Sequence, residues 1–283
     1  MAELLKGIEV VNAMKDKLIE KNNELIGKGV TPCLGIVRVG ERPDDLSYEK
    51  GALKRFEGLG IKVEVFAFPE SITQEDFERE FKKVNDNKAV HGILLFRPLP
   101  KSLDEEPIKR IINPEKDMDC MCADNIAKVF MGDETGYAPC TPVAVMEMLK
   151  HYEIPLKGSK VSLVGRSMVV GKPLAMLLLK EHATVTICHT RTVDLPGECQ
   201  KGDIVIAAAG VAKMVKKDFI RQGAVVIDVG INVDDSGNLC GDVDFAEAEQ
   251  AASKITPVPG GVGTVTTSVL AKHVLKAAEK TLL

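Results

Sequence analysis

Tyr48 stands at the head of a helix-like run, LSYEKGALKRFEGLGI (residues 46–61), that also carries Lys50, Lys54 and Arg55. Proton transfer beside the tyrosine would need one of these charges on the same helix face. A helix turns about 100° per residue, so position i+4 lies about 40° from i, one turn along. That position is Ala52. Lys50 points about 160° away and Lys54 about 120° away. Arg55 returns to the face two turns on, but a guanidinium stays protonated and is a poor base. If Tyr48 lines a site, the nearest slot beside it holds a methyl group.

A second constellation lies in the other half of the chain. The apolar run KVSLVG enters Gly165-Arg166-Ser167, and Gly171 follows. The spacing is G-x5-G, not G-x-G-x-x-G, and a strand–helix turn of this kind also serves as a plain tight turn in any α/β protein. Its position on the first strand of a nucleotide-type pattern favours a phosphate cradle. The next strand ends in CHTRT (188–192). An acid at that point usually accepts the ribose hydroxyls of NAD. Here His189, Thr190 and Arg191 stand instead, with Arg166 in the turn. Cations and hydroxyls suit a 2′-phosphate, which favours NADP over NAD. His189 reads equally well as a structural histidine.

The elements that must hold these residues alternate. Helical periodicity over 8–26 ends at Gly27, PCLGIVRVG reads as a buried strand, and 45–58 as a helix ending near Gly60. IKVEVFAF is a strand. SITQ resembles a capping box, Ser71 with Gln74, opening a helix to about Asn85. AVHGILLF is a strand followed by the loop RPLP. This order predicts a mostly parallel sheet covered by helices. A second unit begins at CTPVAVMEMLKHY, with Thr141 as helix cap and Pro142 at the first helical position. Strands KVSLVG, ATVTIC, DIVIAAAG and AVVIDVG follow, with a helix after the glycine turn and a short one near 216–221. That is a Rossmann-like order. The segment TVTTSVLAKHVLKAAEKTLL predicts a terminal amphipathic helix.

Composition bounds the functions. The chain has 283 residues, 45% of them hydrophobic, enough for two medium domains. A net charge of −4, no Trp and 4% aromatics argue against nucleic-acid binding or an anionic membrane surface. No apolar run approaches the ~18 residues of a membrane span. The first residues mix charges into helical spacing, unlike a signal peptide, so a cytoplasmic protein is expected. The seven cysteines, Cys33, Cys120, Cys122, Cys140, Cys188, Cys199 and Cys240, are odd in number and contain no C-x-x-C pair. Free thiols in a reducing compartment are expected, with no bound metal.

ITPVPGGVGTVT (255–266), joined to these features, carries a resemblance. So do HGILL…PLP (91–100), PEKDMD (114–119), PCTP (139–142), GRS…VGKP (165–173) and GAVVIDVGIN (223–232). Together they resemble the methylenetetrahydrofolate dehydrogenase/cyclohydrolase family over essentially the whole chain. The resemblance implies an N-terminal α/β catalytic domain (1–140, with the terminal helix 265–283) and a Rossmann-like NADP domain (141–264). It implies a homodimer with tetrahydrofolate derivatives bound between the domains. Tyr48 then matches the tyrosine that stacks on the folate, and Asp119 the aspartate that hydrogen-bonds the pterin. Pro259 and Gly260 match the loop bordering the substrate. Gly165, Arg166, Ser167, Thr190 and Ile231 match cofactor positions, and Gly171 and Arg191 adjoin them.

The departures fall mostly near the folate. The family's Ser-x-x-Tyr-Val-x-x-Lys reads Asp45, Tyr48, Glu49 and Ala52 here. Phe96 stands at the glutamine position with Arg97 after it. Cys120 replaces a glycine, and Thr264 a proline. The missing lysine is the one that assists proton transfer in the family. A dehydrogenase with weak or absent cyclohydrolase activity is therefore expected. The alternatives are a bifunctional enzyme with a relocated base, such as Lys50 or Lys54, and a binding protein without turnover.

Overall fold

The computed structural model describes residues 2–282. In chain order the elements are β1 (Glu3–Leu4), α1 (Gly7–Gly27), β2 (Cys33–Val39), α2 (Pro43–Glu57), β3 (Lys62–Phe68), α3 (Gln74–Asp86) and β4 (Gly92–Leu95). Then come α4 (Glu106–Ile111), α5 (Ala123–Met131), α6 (Cys140–His151), β5 (Lys160–Val164), α7 (Gly171–Lys180), β6 (Thr184–Cys188) and α8 (Leu195–Gln200). The last are β7 (Ile204–Ala207), β8 (Val225–Asp228), β9 (Asn232–Val233), β10 (Leu239–Cys240), α9 (Phe245–Ala248), β11 (Lys254–Ile255) and α10 (Thr266–Lys280). Two single turns of 3₁₀ helix lie at Lys217–Phe219 and Val262–Thr264. Among the described residues, no helix is long and apolar enough to cross a membrane.

The chain divides into two compact units. One comprises Ala13–Ala138 and the residues from Thr267 on; the other comprises Pro139–Thr266 and the residues up to Asn12. The break at residue 139 lies beside the expected 140, while the first residues pack with the other unit. Residues 3–12 group with the nucleotide-type unit because β1 pairs in parallel with β11, Glu3 opposite Lys254 and Leu4 opposite Ile255. Two paired residues give no periodicity to read. The next residue, Leu5, is fully buried.

The three-stranded unit has parallel order β3-β2-β4. Its central strand, CLGIVRV, is buried along nearly its whole length, which is why it reads as a continuous apolar run. α3 packs Phe77, Phe81 and Val84 inward at spacing i, i+4, i+7. Its cap is Thr73, not Ser71: the Thr73 hydroxyl accepts from Asp76 N at 3.2 Å and donates to the Asp76 carboxylate at 2.9 Å. Gln74 instead bonds Glu78 and the Asp104 backbone.

The six-stranded unit is an all-parallel sheet of order β1-β11-β8-β7-β5-β6, with β9 and β10 as a separate antiparallel pair. α6 begins at Cys140 with Pro139 in the cap position, so Thr141 is not the cap. Pro142 then falls third in the helix, where its missing N–H still costs no intrahelical bond. α4, α5 and α8 were not apparent from periodicity; they have six, nine and six residues.

Candidate active site

In the three-stranded unit the site residues gather at the C-terminal ends of the strands, where ligands bind in open α/β sheets. α2 carries Tyr48, which is 38% exposed. β4 runs directly into Phe96, whose N–H bonds Val37 O at 2.9 Å. The Tyr48 and Phe96 rings meet edge to face, with centroids 5.7 Å apart and planes at 89°. Arg97 follows. Its Nη2 lies 3.4 Å from Asp119 Oδ2, and its Nη1 lies 4.0 Å from Glu105 Oε2. Tyr48, Phe96, Arg97 and Asp119 thus form one continuous chain of contacts.

Ala52 is fully buried, and Lys50 and Lys54 are exposed. Arg55 is half-buried with its Nε unpartnered, and burial pulls its pKa below the ordinary value. Glu49 forms an ion pair at 2.9 Å with Arg38 of β2, so this departure ties α2 to the sheet. Asp45 pairs with Arg42 at 3.4 Å, and burial raises its pKa.

The loop bearing Asp119 is held by groups that sequence reading did not single out. The buried Asp117 carboxylate accepts from Met121 N at 3.0 Å, Cys122 N at 2.9 Å and Asn125 Nδ2 at 3.1 Å. His273 Nδ1, from α10, lies 3.1 Å from Met118 O. Burial pushes the His273 pKa down to about 4, so the ring is neutral. Cys120 has φ 57°, a left-handed conformation that favours glycine. Burial raises its thiol pKa, so it is no nucleophile at neutral pH. Cys122 caps α5, its Sγ accepting from Asn125 N at 3.5 Å, and its pKa is pushed up to about 12 by burial. All seven cysteines are free and buried.

In the six-stranded unit the glycine turn leaves no room for side chains. A Cβ on Gly165, whose φ is 123°, would lie 2.1 Å from Ala208 O, and one on Gly171 would lie 2.3 Å from Gly165 O. Ser167 Oγ accepts from Val170 N at 3.0 Å and shapes the entry to α7. Gly165 N bonds Cys188 O at 2.9 Å, which brings the turn beside the end of β6. Arg166, Thr190 and Arg191 are exposed there. His189 serves the backbone: its Nδ1 accepts from Arg191 N at 3.1 Å. The first acid after β6, Asp194, caps α8 by accepting from Gly197 N. These residues fit a dinucleotide bearing an extra phosphate: a side-chain-free turn, exposed cations, and no carboxylate at the end of β6.

The rim of this site hangs on two buried acids that carried no sequence signal. Asp228 accepts from Gly230 N, Asp242 N and Val243 N. Asp242 accepts from Ala209 N, Gly210 N, Val211 N and Asn232 Nδ2. Together they fix the loops after β7 and β8, including the exposed Ile231. Burial raises the Asp228 pKa to about 6. Pro259 and Gly260 lie exposed in the loop after β11. Gly260 O accepts from Gly7 N at 2.8 Å. Among the described residues no group of three His, Cys, Asp or Glu could hold a metal ion.

Comparison with known proteins places both units. Residues 5–119 match the model of the tetrahydrofolate dehydrogenase/cyclohydrolase catalytic domain. Residues 139–282 match that of the tetrahydrofolate dehydrogenase/cyclohydrolase NAD(P)-binding domain. The bifunctional protein FolD of Clostridioides difficile is 58% identical, covering 98% of this chain and 96% of its own. The structure of the bifunctional FolD enzyme of Campylobacter jejuni superposes with a TM-score of 0.96 at 39% identity, covering 99% of this chain and 100% of its own. That of the Trypanosoma brucei methylenetetrahydrofolate dehydrogenase-cyclohydrolase, solved with NADP and an inhibitor, gives 0.93 at 36% identity, covering 99% and 98%. With both domain models in the expected order along one chain, the protein belongs to the tetrahydrofolate dehydrogenase/cyclohydrolase family.

Proposed function

We propose that this protein oxidises 5,10-methylenetetrahydrofolate to the methenyl cation with NADP, and hydrolyses that product weakly or not at all. The observation that carries the second half is Ala52. One turn after Tyr48 there is a fully buried methyl group, and the tyrosine ring packs on Phe96 where an amide would be expected.

In this reading Tyr48 stacks on the folate, and the Asp119 carboxylate accepts two donors from the aminopyrimidine edge of the pterin. Gly165, Gly171 and Ser167 admit the dinucleotide backbone, Arg166, Thr190 and Arg191 face its 2′-phosphate, and Ile231, Pro259 and Gly260 border the reacting rings. NADP, when bound, supplies the hydride acceptor. Hydride transfer then needs chiefly two rings held in register, which is positioning work. Ring opening by water needs proton transfer, where a placed group contributes about 10²–10⁴-fold. Loss of that group therefore hurts hydrolysis far more than oxidation. The family's homodimer and a cytoplasmic location are part of the proposal. Light scattering should give a mass near twice 30.6 kDa.

The names of the relatives favour a second reading, a bifunctional enzyme whose base lies elsewhere. A binding protein without turnover would have little need to keep the folate residues Tyr48 and Asp119 together with a closed glycine turn for a dinucleotide. One assay separates the three. With substrate and NADP in weakly nucleophilic neutral buffer, NADPH and methenyl product should rise together, and the methenyl product should then decay little faster than without protein. Ala52→Lys with Phe96→Gln should recover more hydrolysis than either change alone, because a lysine base needs neighbours that lower and orient its pKa. Rapid enzyme-dependent loss of methenyl product from the unaltered protein would overturn the one-activity reading, and Lys54 would be the first residue to replace.

A further inference from the structure

We infer that Arg97 is a specificity-determining residue that reads the 4-oxo group of the pterin, completing with Asp119 a three-point match to the ring edge; the inference rests on the assignment of Asp119 to the pterin. A reduced pterin presents, in order along one edge, an acceptor (the C4 oxygen), a donor (N3–H) and a donor (the 2-amino group). A carboxylate satisfies the two donors and leaves the acceptor without a partner. Beside the Asp119 carboxylate stands a guanidinium, Nη2 to Oδ2 at 3.4 Å.

The length of that contact matters. Charge-assisted N–H···O bonds run about 2.7–2.9 Å, so at 3.4 Å this contact does not saturate the guanidinium. The second carboxylate near Arg97, Glu105 at 4.0 Å, is beyond hydrogen-bonding distance and acts by charge alone. Glu105 is shared with Lys109 at 3.7 Å. Arg97 is thus positioned from two sides while most of its five N–H donors stay available. Its side chain is 20% exposed, so it reaches the site and is partly desolvated, where a hydrogen bond gains strength. The Phe96 ring directly before it packs on Tyr48, which fixes the guanidinium beside the face on which the pterin would stack. A clamp that merely held the Asp119 loop would not require this placement, since Asp117 and His273 already hold that loop.

The test compares tetrahydrofolate with its 4-amino-4-deoxy analogue, which replaces the C4 acceptor by a donor and the N3–H donor by an acceptor. Dissociation constants are measured in mildly alkaline buffer, where the diaminopyrimidine ring is neutral. The unaltered protein should bind the oxo form at least tenfold more tightly, since a buried donor facing a donor loses a charged hydrogen bond. Arg97→Leu should weaken the oxo form tenfold or more and lower the ratio by a similar factor, what remains being the mismatch of N3 with Asp119. Arg97→Gln, whose amide can turn either its oxygen or its nitrogen to the ring, should also lower the ratio while retaining part of the affinity. A ratio unchanged in both variants would overturn the inference. Asp119→Asn tells the two assignments apart: it should weaken the oxo form and preserve the share of the preference that Arg97 supplies. If Asp119→Asn left both affinities intact, the pterin would not face this pair, and the assignment of Asp119 would fall together with the role of Arg97.

Discussion

The two candidate sites are built from different parts of the polypeptide. In the six-stranded unit the critical geometry is backbone: a turn closed so tightly that a Cβ at Gly165 would meet Ala208 O at 2.1 Å, and loops hung from Asp228 and Asp242 by their N–H groups. In the three-stranded unit the proposed chemistry rests on five side chains, Tyr48, Ala52, Phe96, Arg97 and Asp119, on a conventional parallel sheet. A backbone-built site can bind a common cofactor whatever most of its side chains are. A side-chain-built site can lose or gain a reaction through one or two substitutions while its fold is untouched. On the proposed reading, changes beside Tyr48 and Asp119 alter the reaction while the glycine turn keeps the cofactor.

The contrast can be broken at its strongest point first. Gly165→Ala should lower the stability of the six-stranded unit by roughly 2–5 kcal/mol and reduce NADP affinity more than a hundredfold, because the methyl group meets a carbonyl oxygen and the φ of 123° resists a side chain. Thermal melting and a cofactor titration read both effects. Near-normal binding would show that the turn is less rigid than its geometry says. Ala52→Lys, by comparison, should leave cofactor affinity unchanged.

The units should also answer acid with opposite sign. His273, in the three-stranded unit, has its folded pKa near 4 against an ordinary 6.5. As pH falls from 6.5 to 4 the unfolded chain takes up the proton first, so stability is lost across that window. Asp228, in the six-stranded unit, has its folded pKa near 6 against an ordinary 3.8. As pH falls from 6 to 3.8 the folded state takes up the proton first, so stability is gained. Each contribution reaches at most about 3 kcal/mol. Relative to the unaltered protein, His273→Gln should remove the acid-dependent loss, and Asp228→Asn should remove the gain. Denaturation midpoints measured from pH 4 to 7 check the two slopes. Identical slopes in all three proteins would remove both groups as acid sensors.

The smallest effect sharpens the cofactor assignment. Arg166→Ala should raise the Michaelis constant for NADP about tenfold and leave that for NAD nearly unchanged, the loss of one charged hydrogen bond. Equal effects on both cofactors would detach Arg166 from the 2′-phosphate. The turn itself should survive, because Arg166 is exposed and the hydrogen bonds that shape the turn run from Val170 N to Ser167 Oγ and from Gly165 N to Cys188 O.

Much of this molecule is local and was legible as such. Buried strands such as CLGIVRV and the inward face of α3 follow from the placing of apolar residues along the chain. The glycine turn, the missing acid after β6 and the methyl group one turn after Tyr48 are matters of spacing within about twenty residues, and the sequence alone determined them. What it left undecided involves partners far apart. β1 pairs with β11 across some 250 residues through two residues each, too few for any pattern. The cap of α3 fell to Thr73 because its hydroxyl, not that of Ser71, reaches the first free N–H groups. Nothing in the spacing of Asp117, Asp228 and Asp242 sets them apart from other acids. Each is instead a buried anchor whose partners are mostly backbone N–H groups, and backbone donors are the same at every residue, so sequence carries no mark of them. Arg97 was legible as a departure from the family pattern, but only the fold set it beside Asp119, 22 residues away, because that pairing depends on where β4 ends and how the Asp117 loop is folded.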